Sequence, residues 1–211
     1  TAIPAKGHSY VTTTTKATLS KNGSVVKKCS VCGDVASTTA IAYPKTFTLS
    51  KTKYTYDGKA KKPTVTVKDA NGKTIAASNY TVSYAKGRKN VGAYAVKITF
   101  KGNYSGTKTL NFTIVPKATT LSSVKAGKKS FTANWKKQTT QTTGYQIQYS
   151  TSKSFAGGNK TVTVSKNKTT KTTVKKLKAK KTYYVRVRTY KTVNGKKYYS
   201  SWSKTTKVKT K

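Results

Sequence analysis

The chain has 211 residues, with 44 lysines and arginines against three acidic residues and one histidine, which gives a formal charge of +41 at pH 7. General acid–base catalysis normally draws on carboxylates and imidazoles, so this composition argues against an enzyme. The excess charge predicts attraction to anionic polymers and surfaces. Hydrophobic residues make up 34% of the chain, and no run of them reaches the roughly 18 residues that a membrane span needs.

Short segments that alternate apolar and polar residues, separated by Gly- and Asn-rich turns, follow one another along most of the sequence. Period-two alternation of β-branched and aromatic residues is typical of half-buried strands. The pattern predicts an all-β chain of tandem β-sandwiches that follow a small N-terminal β/loop module. The predicted boundaries are 1–42 for the module, 43–116 for the first sandwich and 117–211 for the second.

The N-terminal module contains the spacing Cys29-Ser-Val-Cys32-Gly33. Two cysteines two residues apart, followed by a glycine that can take a tight turn, have the form of a zinc knuckle, and His8 could be a third ligand. Asp34, water or a neighbouring module is the candidate for the fourth position. A Cys29–Cys32 disulfide and a pair of free thiols are the alternatives that the sequence leaves open.

Two further features of the module concern its origin. The letters "TAIP" at Thr1–Pro4 return as "TAIA" at Thr39–Ala42, which predicts a repeat and therefore a piece of a longer modular protein. The module resembles small Cys/His modules of gram-positive surface proteins, which carry another cysteine in a "TKATC"-like stretch. Here that position is Leu19, so the resemblance implies a ligand set that is one residue short.

The middle segment carries "YTYDGK" from Tyr54, "KNVGAY" from Lys89 and "GNYSGT" from Gly102. In these motifs it resembles a bacterial immunoglobulin-like domain of the YDG type, found in modular surface and secreted proteins of gram-positive bacteria. The resemblance implies a β-sandwich and a secreted or cell-wall-associated location. Asp57, within the YDG motif, is interpreted as a turn former.

The C-terminal segment has an aromatic pattern of its own. Trp135 lies in a predicted strand, Tyr145 begins the next, and Leu177 precedes Tyr183 at the spacing of a tyrosine corner. In order and spacing these residues resemble a fibronectin type III domain. Strand alternation then places Tyr183 and the valines after it inward.

Arg186 and Arg188 lie two residues apart on the outer face of the same strand, in a chain that has only three arginines. The stretch "YSSWS", Tyr199 to Ser203, resembles the W-S-x-W-S box of cytokine-receptor fibronectin domains. That resemblance implies that both arginines stack on the rings of Tyr199 and Trp202, which a lysine ammonium cannot do. A structural ladder is the favoured interpretation, and a ligand-binding aromatic–basic face is the alternative.

Three functional hypotheses follow. The favoured one is a non-catalytic extracellular adhesion module, predicted to be a monomer, that holds anionic cell-wall polymers or acidic host glycans. Nucleic acid is disfavoured because lysines are spread over all segments and arginine is scarce. The alternatives are a secreted, irisin-like mimic of a host fibronectin domain that acts on a host receptor, and a passive spacer in a surface array. The proposed binding patch consists of Lys178, Lys180, Lys181, Lys191, Lys196 and Lys197.

Overall fold

The computed structural model describes residues 7–211, and it confirms the predicted all-β class. Residues 1–6, which include the first copy of the predicted repeat at Thr1–Pro4, lie outside the described part. Within residues 7–211 the one helical element is a short 3-10 turn at Ala77–Asn79. No helix in this range is long and apolar enough to cross a membrane.

Contacts between Cα atoms divide the chain into two compact units. Within the described residues, the first comprises 7–52 together with 62–86 and 94–112, and the second comprises 53–61, 87–93 and 113–211. The sheets themselves join strands within three sequence ranges, whose limits are residues 10–41, 44–115 and 121–209. The predicted domain boundaries at residues 42 and 116 stay a prediction.

The first range forms a three-stranded antiparallel sheet with the order β1-β2-β3. Its strands are β1 (Tyr10–Thr15), β2 (Gly23–Cys29) and β3 (Val35–Ile41). Most side chains of β1 and β3 are exposed, and the buried hydrophobic residues of this range are Ala17, Cys29 and Ile41. A sheet that leaves both faces in water has almost no core of its own.

The second range contributes a two-stranded and a four-stranded sheet. Its strands are β4 (Pro44–Leu49), β5 (Lys53–Thr55), β6 (Val65–Asp69), β7 (Tyr80–Tyr84), β8 (Gly92–Phe100) and β9 (Thr107–Val115). β4 pairs with β6, and the larger sheet has the order β5-β9-β8-β7, with β5 parallel to β9. Val67, Val96 and Ile98 are fully buried, and the rings of Phe47 and Phe100 meet edge to face at 6.2 Å.

The third range forms two facing sheets. Its strands are β10 (Leu121–Gly127), β11 (Ser130–Trp135), β12 (Gly144–Ser150), β13 (Lys160–Val164), β14 (Lys171–Val174), β15 (Thr182–Val193), β16 (Lys196–Tyr199) and β17 (Thr206–Lys209). One sheet has the order β10-β11-β14 and the other β13-β12-β15-β16. β15 is long enough to pair with β17 along its first four residues and with β16 along its last four.

The core of this sandwich consists of the residues that alternation places inward. Trp135 and Tyr145 lie with their ring centroids 5.2 Å apart, and Tyr183 packs in the same cluster. The hydroxyl of Tyr183 accepts the backbone N–H of Lys178 at 3.2 Å, which ties the turn before β15 to the core. Burying each of these large side chains contributes about 1.5–3 kcal/mol, so the cluster accounts for much of the sandwich's stability.

The β15–β16 hairpin has a two-residue loop. Val193 pairs with Lys196 across it, and Asn194 and Gly195 have φ values of 47° and 76°. Two consecutive positive φ values fit a type I′ turn, whose twist matches that of the flanking strands, and Asn-Gly is the pair that best tolerates them. The turn fixes the register that brings Tyr199 opposite Tyr190.

Candidate functional site

The outer face of β15 carries a stack of cations and aromatic rings. The guanidinium carbon of Arg188 lies 3.8 Å from the ring centroid of Tyr199 and 4.2 Å from that of Trp202. The guanidinium carbon of Arg186 lies 4.7 Å from the Trp202 ring. The structure therefore brings together the four residues that the sequence grouped, with Trp202 in contact with both arginines.

Phe155 adds a ring that the sequence analysis missed. Its ring centroid lies 3.9 Å from the guanidinium carbon of Arg186. Phe155 belongs to the β12–β13 loop, has a φ of 57°, and is buried, and its carbonyl accepts the side-chain amide of Asn159 at 2.8 Å. The sequence did contain one signal: Phe155 is the single aromatic residue in the Ser- and Gly-rich stretch "STSKSFAGGN", and an aromatic ring in such a loop usually packs against something.

Each arginine of the stack also bonds to the strand beside it. The register of β12 and β15 places Gln148 opposite Arg186 and Gln146 opposite Arg188. Both arginines donate from Nε to the facing Oε1 at 2.8 Å, and a second guanidinium nitrogen donates to the same oxygen. Burial lowers the pKa of both guanidiniums, but arginine stays charged. Donors engaged within the domain favour the structural interpretation of this stack.

The six lysines of the proposed patch do not lie together. Lys178, Lys180 and Lys181 precede β15, whereas the other three lie on the β15–β16 hairpin. The step of ten residues from Lys181 to Lys191 along an extended strand spans about 33 Å. The patch is therefore two groups at opposite ends of β15, because neighbours in sequence are far apart along a straight strand.

The first group lines two pockets. One pocket of about 400 Å³ lies between Tyr149, Leu177 and Tyr183, and a second of about 350 Å³ shares Thr151 and Lys181 with it. The lysines that line the two pockets, named here the lysine end, are Lys160, Lys176, Lys178, Lys180, Lys181, Lys207 and Lys209. No acidic residue occurs in the sequence from 117 to 211.

The backbone of the lysine end is held by a buried threonine. The hydroxyl of Thr210 donates to the carbonyl of Lys178 at 2.6 Å and accepts the N–H of Lys181 at 3.1 Å. The N–H of Thr210 donates to the carbonyl of Lys181 at 3.0 Å. These bonds join the turn before β15 to the C-terminal strand, so lysines from both elements are kept side by side.

Two lysines of the lysine end have a left-handed backbone. The φ values are 58° at Lys176 and 52° at Lys180. An L-residue in this region costs roughly 1–2 kcal/mol, and glycine is the residue that takes it without strain. Both side chains are exposed, so the strain of the backbone at these positions is not offset by burial of the lysine side chains.

A second candidate site lies at one end of the β1–β2–β3 sheet. The ligand atoms of His8, Cys29 and Cys32 all lie within 4.8 Å of one another. Nδ1 of His8 is 3.2 Å from Sγ of Cys32, and neither cysteine forms a disulfide. Asp34, the fourth candidate, does not join them, and its Oδ2 accepts the hydroxyl of Tyr10 at 2.8 Å.

The turn after Cys29 is built around its sulfur. Backbone N–H groups of Cys32 and Val31, with smaller contributions from His8, lower the pKa of Cys29 to about 6. Gly33, with a φ of 77°, donates its N–H to the carbonyl of Cys29 at 3.1 Å. The turn therefore stabilises a thiolate, which is the form of cysteine that binds metal.

Leu19 occupies a different place from the one that the resemblance implied. The hairpin register pairs Tyr10 with Cys29 and Thr15 with Ser24, so the loop that holds Leu19 is at the far end of the strands. Leu19 packs instead beside Gly106, where an added Cβ would lie 3.1 Å from its Cγ. The modules that this segment resembles have a cysteine at this position, but a side chain at position 19 of this chain is too far along the strands to join the cluster of His8, Cys29 and Cys32. The leucine therefore does not cost that cluster a ligand.

Comparison with protein families matches the fibronectin type III domain model to residues 115–208. Comparison with curated proteins gives no match. Among solved structures, the FN1–FN3 domains of chicken CNTN1 are similar with a TM-score of 0.41 and 16% identity, over 90% of this chain and 77% of that chain. Domains A168–A170 of titin give 0.36 and 15%, over 99% and 85%. A beta-1,2-glucanase from Parabacteroides distasonis gives 0.37 and 17%, over 56% and 18%.

These structural scores are too low to carry an argument about function. The immunoglobulin-like domain and the Cys/His module stay predictions. The matched range coincides with the two facing sheets, the buried Trp135 and the Tyr183 corner described above. Such a domain suggests a binding or structural module, and this fold is generally non-catalytic. Residues 115–208 are a fibronectin type III domain.

Proposed function

We propose that this protein is a secreted or cell-wall-associated binding module whose lysine end holds anionic polymers, such as teichoic acids or acidic glycans. The observation that carries the proposal is the convergence of lysines from β13, from the turn before β15 and from β17 on two adjoining pockets. Cations on the walls of a concave surface add their fields, which concentrates a polyanion there.

The local charge balance supports the same function. The nearest acidic residue in sequence to the fibronectin type III domain is Asp69, so no acidic side chain of residues 117–211 competes with an anionic ligand. Lysines of one face repel one another over the Debye length of about 8 Å at physiological salt. A polyanion relieves that repulsion on binding, which gives the site a driving force beyond individual ion pairs.

Rigid placement of the cations further supports the proposal. The bonds of Thr210 and the hydroxyl of Tyr183 hold the turn that presents Lys178 and Lys181. A fixed backbone lowers the entropy lost when a ligand binds. The stack on β15 has a structural part in this function, because it stiffens the sheet from which the lysine end projects.

The test compares two triple variants that remove equal charge from the two ends of β15. The lysine-end triple is Lys178→Ser, Lys180→Ser and Lys181→Ser. The hairpin triple is Lys191→Ser, Lys196→Ser and Lys197→Ser. Binding of the full chain and both variants to purified wall teichoic acid and to heparin is measured over a salt series.

We expect the lysine-end triple to lose at least tenfold in affinity and the hairpin triple to lose two- to threefold. For the wild type, log affinity should fall linearly with log salt as counterions are released. Equal losses in both triples would show diffuse charge attraction and overturn the localised site. Saturable, salt-tolerant binding to host cells would favour the receptor-directed alternative, and absence of binding would favour the spacer.

A further inference from the structure

The three-stranded N-terminal sheet lacks the core that a free-standing sheet of its size needs. Val11 and Val35 are 53% and 51% exposed, and Val31 is 85% exposed. Chains below about 40 residues usually need disulfides, metals or association to stay folded. Stabilisation of this sheet must therefore come from specific links at its ends.

One end of the sheet has such links within its own unit. Ala17 is fully buried, donates its N–H to the carbonyl of Asn103 at 2.9 Å, and accepts the N–H of Ser105 at 2.9 Å. Leu19 packs beside Gly106 at the same end. The opposite end of the sheet is where Tyr10 pairs with Cys29. For the described residues at that end, the backbone hydrogen bonds outside the strands stay within residues 9–34.

At that opposite end lies the cluster of His8, Cys29 and Cys32. We propose that these three residues bind one zinc ion, which fastens the second end of the sheet and leaves one coordination position to water or another exchangeable ligand. Zinc takes thiolate and imidazole ligands at about 2.3 and 2.0–2.1 Å in tetrahedral geometry, so two bound sulfurs lie about 3.8 Å apart. Ligand atoms already within 4.8 Å reach that geometry by side-chain rotation.

The surroundings of the cluster suit a zinc site. Cys29 is buried at the end of β2, whereas His8 and Cys32 are exposed, so an ion can enter from solvent. The ring of Tyr10 lies 5.3 Å from that of His8 and orients it, while its hydroxyl bonds to Asp34. This ring contact restricts the orientations that the His8 imidazole can take. Both cysteines bind the ion as thiolates, and their two negative charges balance the charge of the ion.

Asp34 is not one of the proposed zinc ligands. Its carboxylate is engaged by Tyr10 rather than directed at the sulfurs. Three protein ligands and one open position are typical of catalytic zinc sites. Here the ion lies at the end of a sheet that has almost no core, so we assign it a role in stabilising the fold. The main competing state is a Cys29–Cys32 disulfide, which forms by loss of two electrons to an oxidant and excludes the ion.

The experiment titrates the reduced full chain with Co²⁺ and then Zn²⁺, and follows cobalt–thiolate absorption and hydrogen exchange in β1 and β2. We expect one equivalent of tetrahedral Co²⁺ that Zn²⁺ displaces, with slower exchange near Cys29 when the ion is bound. His8→Ala and Cys32→Ser should each weaken binding at least tenfold. Asp34→Asn and the exposed, non-ligating control Val31→Ser should remain within threefold of the wild type.

Three results would overturn the proposal. The first is absence of a tetrahedral cobalt spectrum in the reduced chain. The second is unchanged affinity in Cys32→Ser, which would place the ion elsewhere. The third is binding without any change of exchange in β1 and β2, which would separate the ion from the stability of the sheet.

Discussion

Phe155 and Arg186 are in stacking contact, with 3.9 Å between the guanidinium carbon and the ring centroid, although one belongs to a loop and the other to the middle of β15. The contact continues the sequence of rings and cations through Trp202 and Arg188 to Tyr199. The β12–β13 loop is thereby attached to the outer face of the sheet.

Replacement of Arg188 by lysine should destabilise the fibronectin type III domain by about 1–3 kcal/mol. The loss combines stacking, worth about 0.5–2 kcal/mol, with the forked bond to Gln146, for which lysine lacks the geometry. Trp135 and Trp202 are the chain's two tryptophans, so fluorescence during urea unfolding reports on this domain. Lys204→Arg, an exposed exchange of the same type, should change stability by less than about 0.5 kcal/mol.

A double-mutant cycle can isolate the Phe155–Arg186 contact. Phe155→Leu keeps much of the apolar volume and removes the ring face, and Arg186→Lys keeps the charge and removes the planar group. We expect a coupling free energy of about 0.5–2 kcal/mol between the two substitutions, measured by urea unfolding. Additive effects would mean that Phe155 is merely buried beside Arg186, without stacking energy.

The fibronectin type III core could be predicted from the sequence because strand alternation converts directly into inward and outward faces. The spacing of Arg186 and Arg188 placed both on one face of the strand, whereas their grouping with Tyr199 and Trp202 came from the resemblance to the W-S-x-W-S box. The contact of Phe155 with Arg186 could not be predicted. Phe155 lies in a loop and has a left-handed backbone, and a loop lacks the alternating pattern that shows which way a strand residue points.

The six-lysine patch was predicted wrongly because closeness in sequence was taken for closeness in space. Lys181 and Lys191 are close in sequence but separated by most of a straight strand. Lys160 and Lys209, by contrast, come from strands that only the sheet pairing brings near Lys181. The cysteine spacing and His8 were recognised from local pattern, whereas the place of Leu19 required the hairpin register.

Lys180→Gly should separate stability from binding. Glycine removes the left-handed strain of about 1–2 kcal/mol but adds about 0.5–1 kcal/mol of unfolded-state entropy. The net expectation is unchanged stability or a gain of up to about 1.5 kcal/mol, together with weaker teichoic acid binding. Lys180→Ala loses the same charge and keeps the strain, so it should weaken binding equally without the gain. A clear loss of stability in the glycine variant would contradict the strain argument.

Thr210→Val should destabilise the domain by about 1–3 kcal/mol. Valine conserves the shape but leaves the N–H of Lys181 and one bond of the Lys178 carbonyl without the hydroxyl partner, in a place where Thr210 is only 3% exposed. Thr210→Ser keeps the hydroxyl and should recover most of the loss in a tryptophan-monitored unfolding experiment. If serine and valine were equally destabilising, the methyl packing rather than the hydrogen bonds would be responsible.

The pH dependence of stability should reveal the ion pair of Asp57. Its carboxylate bonds to the ammonium of Lys61 and accepts the N–H of Lys59 at 2.8 Å, and these bonds, with Lys61 foremost, lower its pKa. A carboxyl whose pKa is lower in the folded state contributes stability above its unfolded value of about 3.9. That contribution is lost as the pH falls through the lower folded pKa.

The unfolding temperatures of the wild type and Asp57→Asn should therefore differ at pH 7 and converge as the medium is acidified below about pH 4. Because Asp57 is exposed, the difference at pH 7 should also shrink with added salt. Lys61→Gln provides the reciprocal control: it removes the main cause of the lowered pKa, so its own deficit relative to the wild type should disappear over the same acidic interval. A difference that persisted unchanged at low pH would assign the role of Asp57 to backbone geometry at the Gly58 turn, where φ is 79°, rather than to its charge.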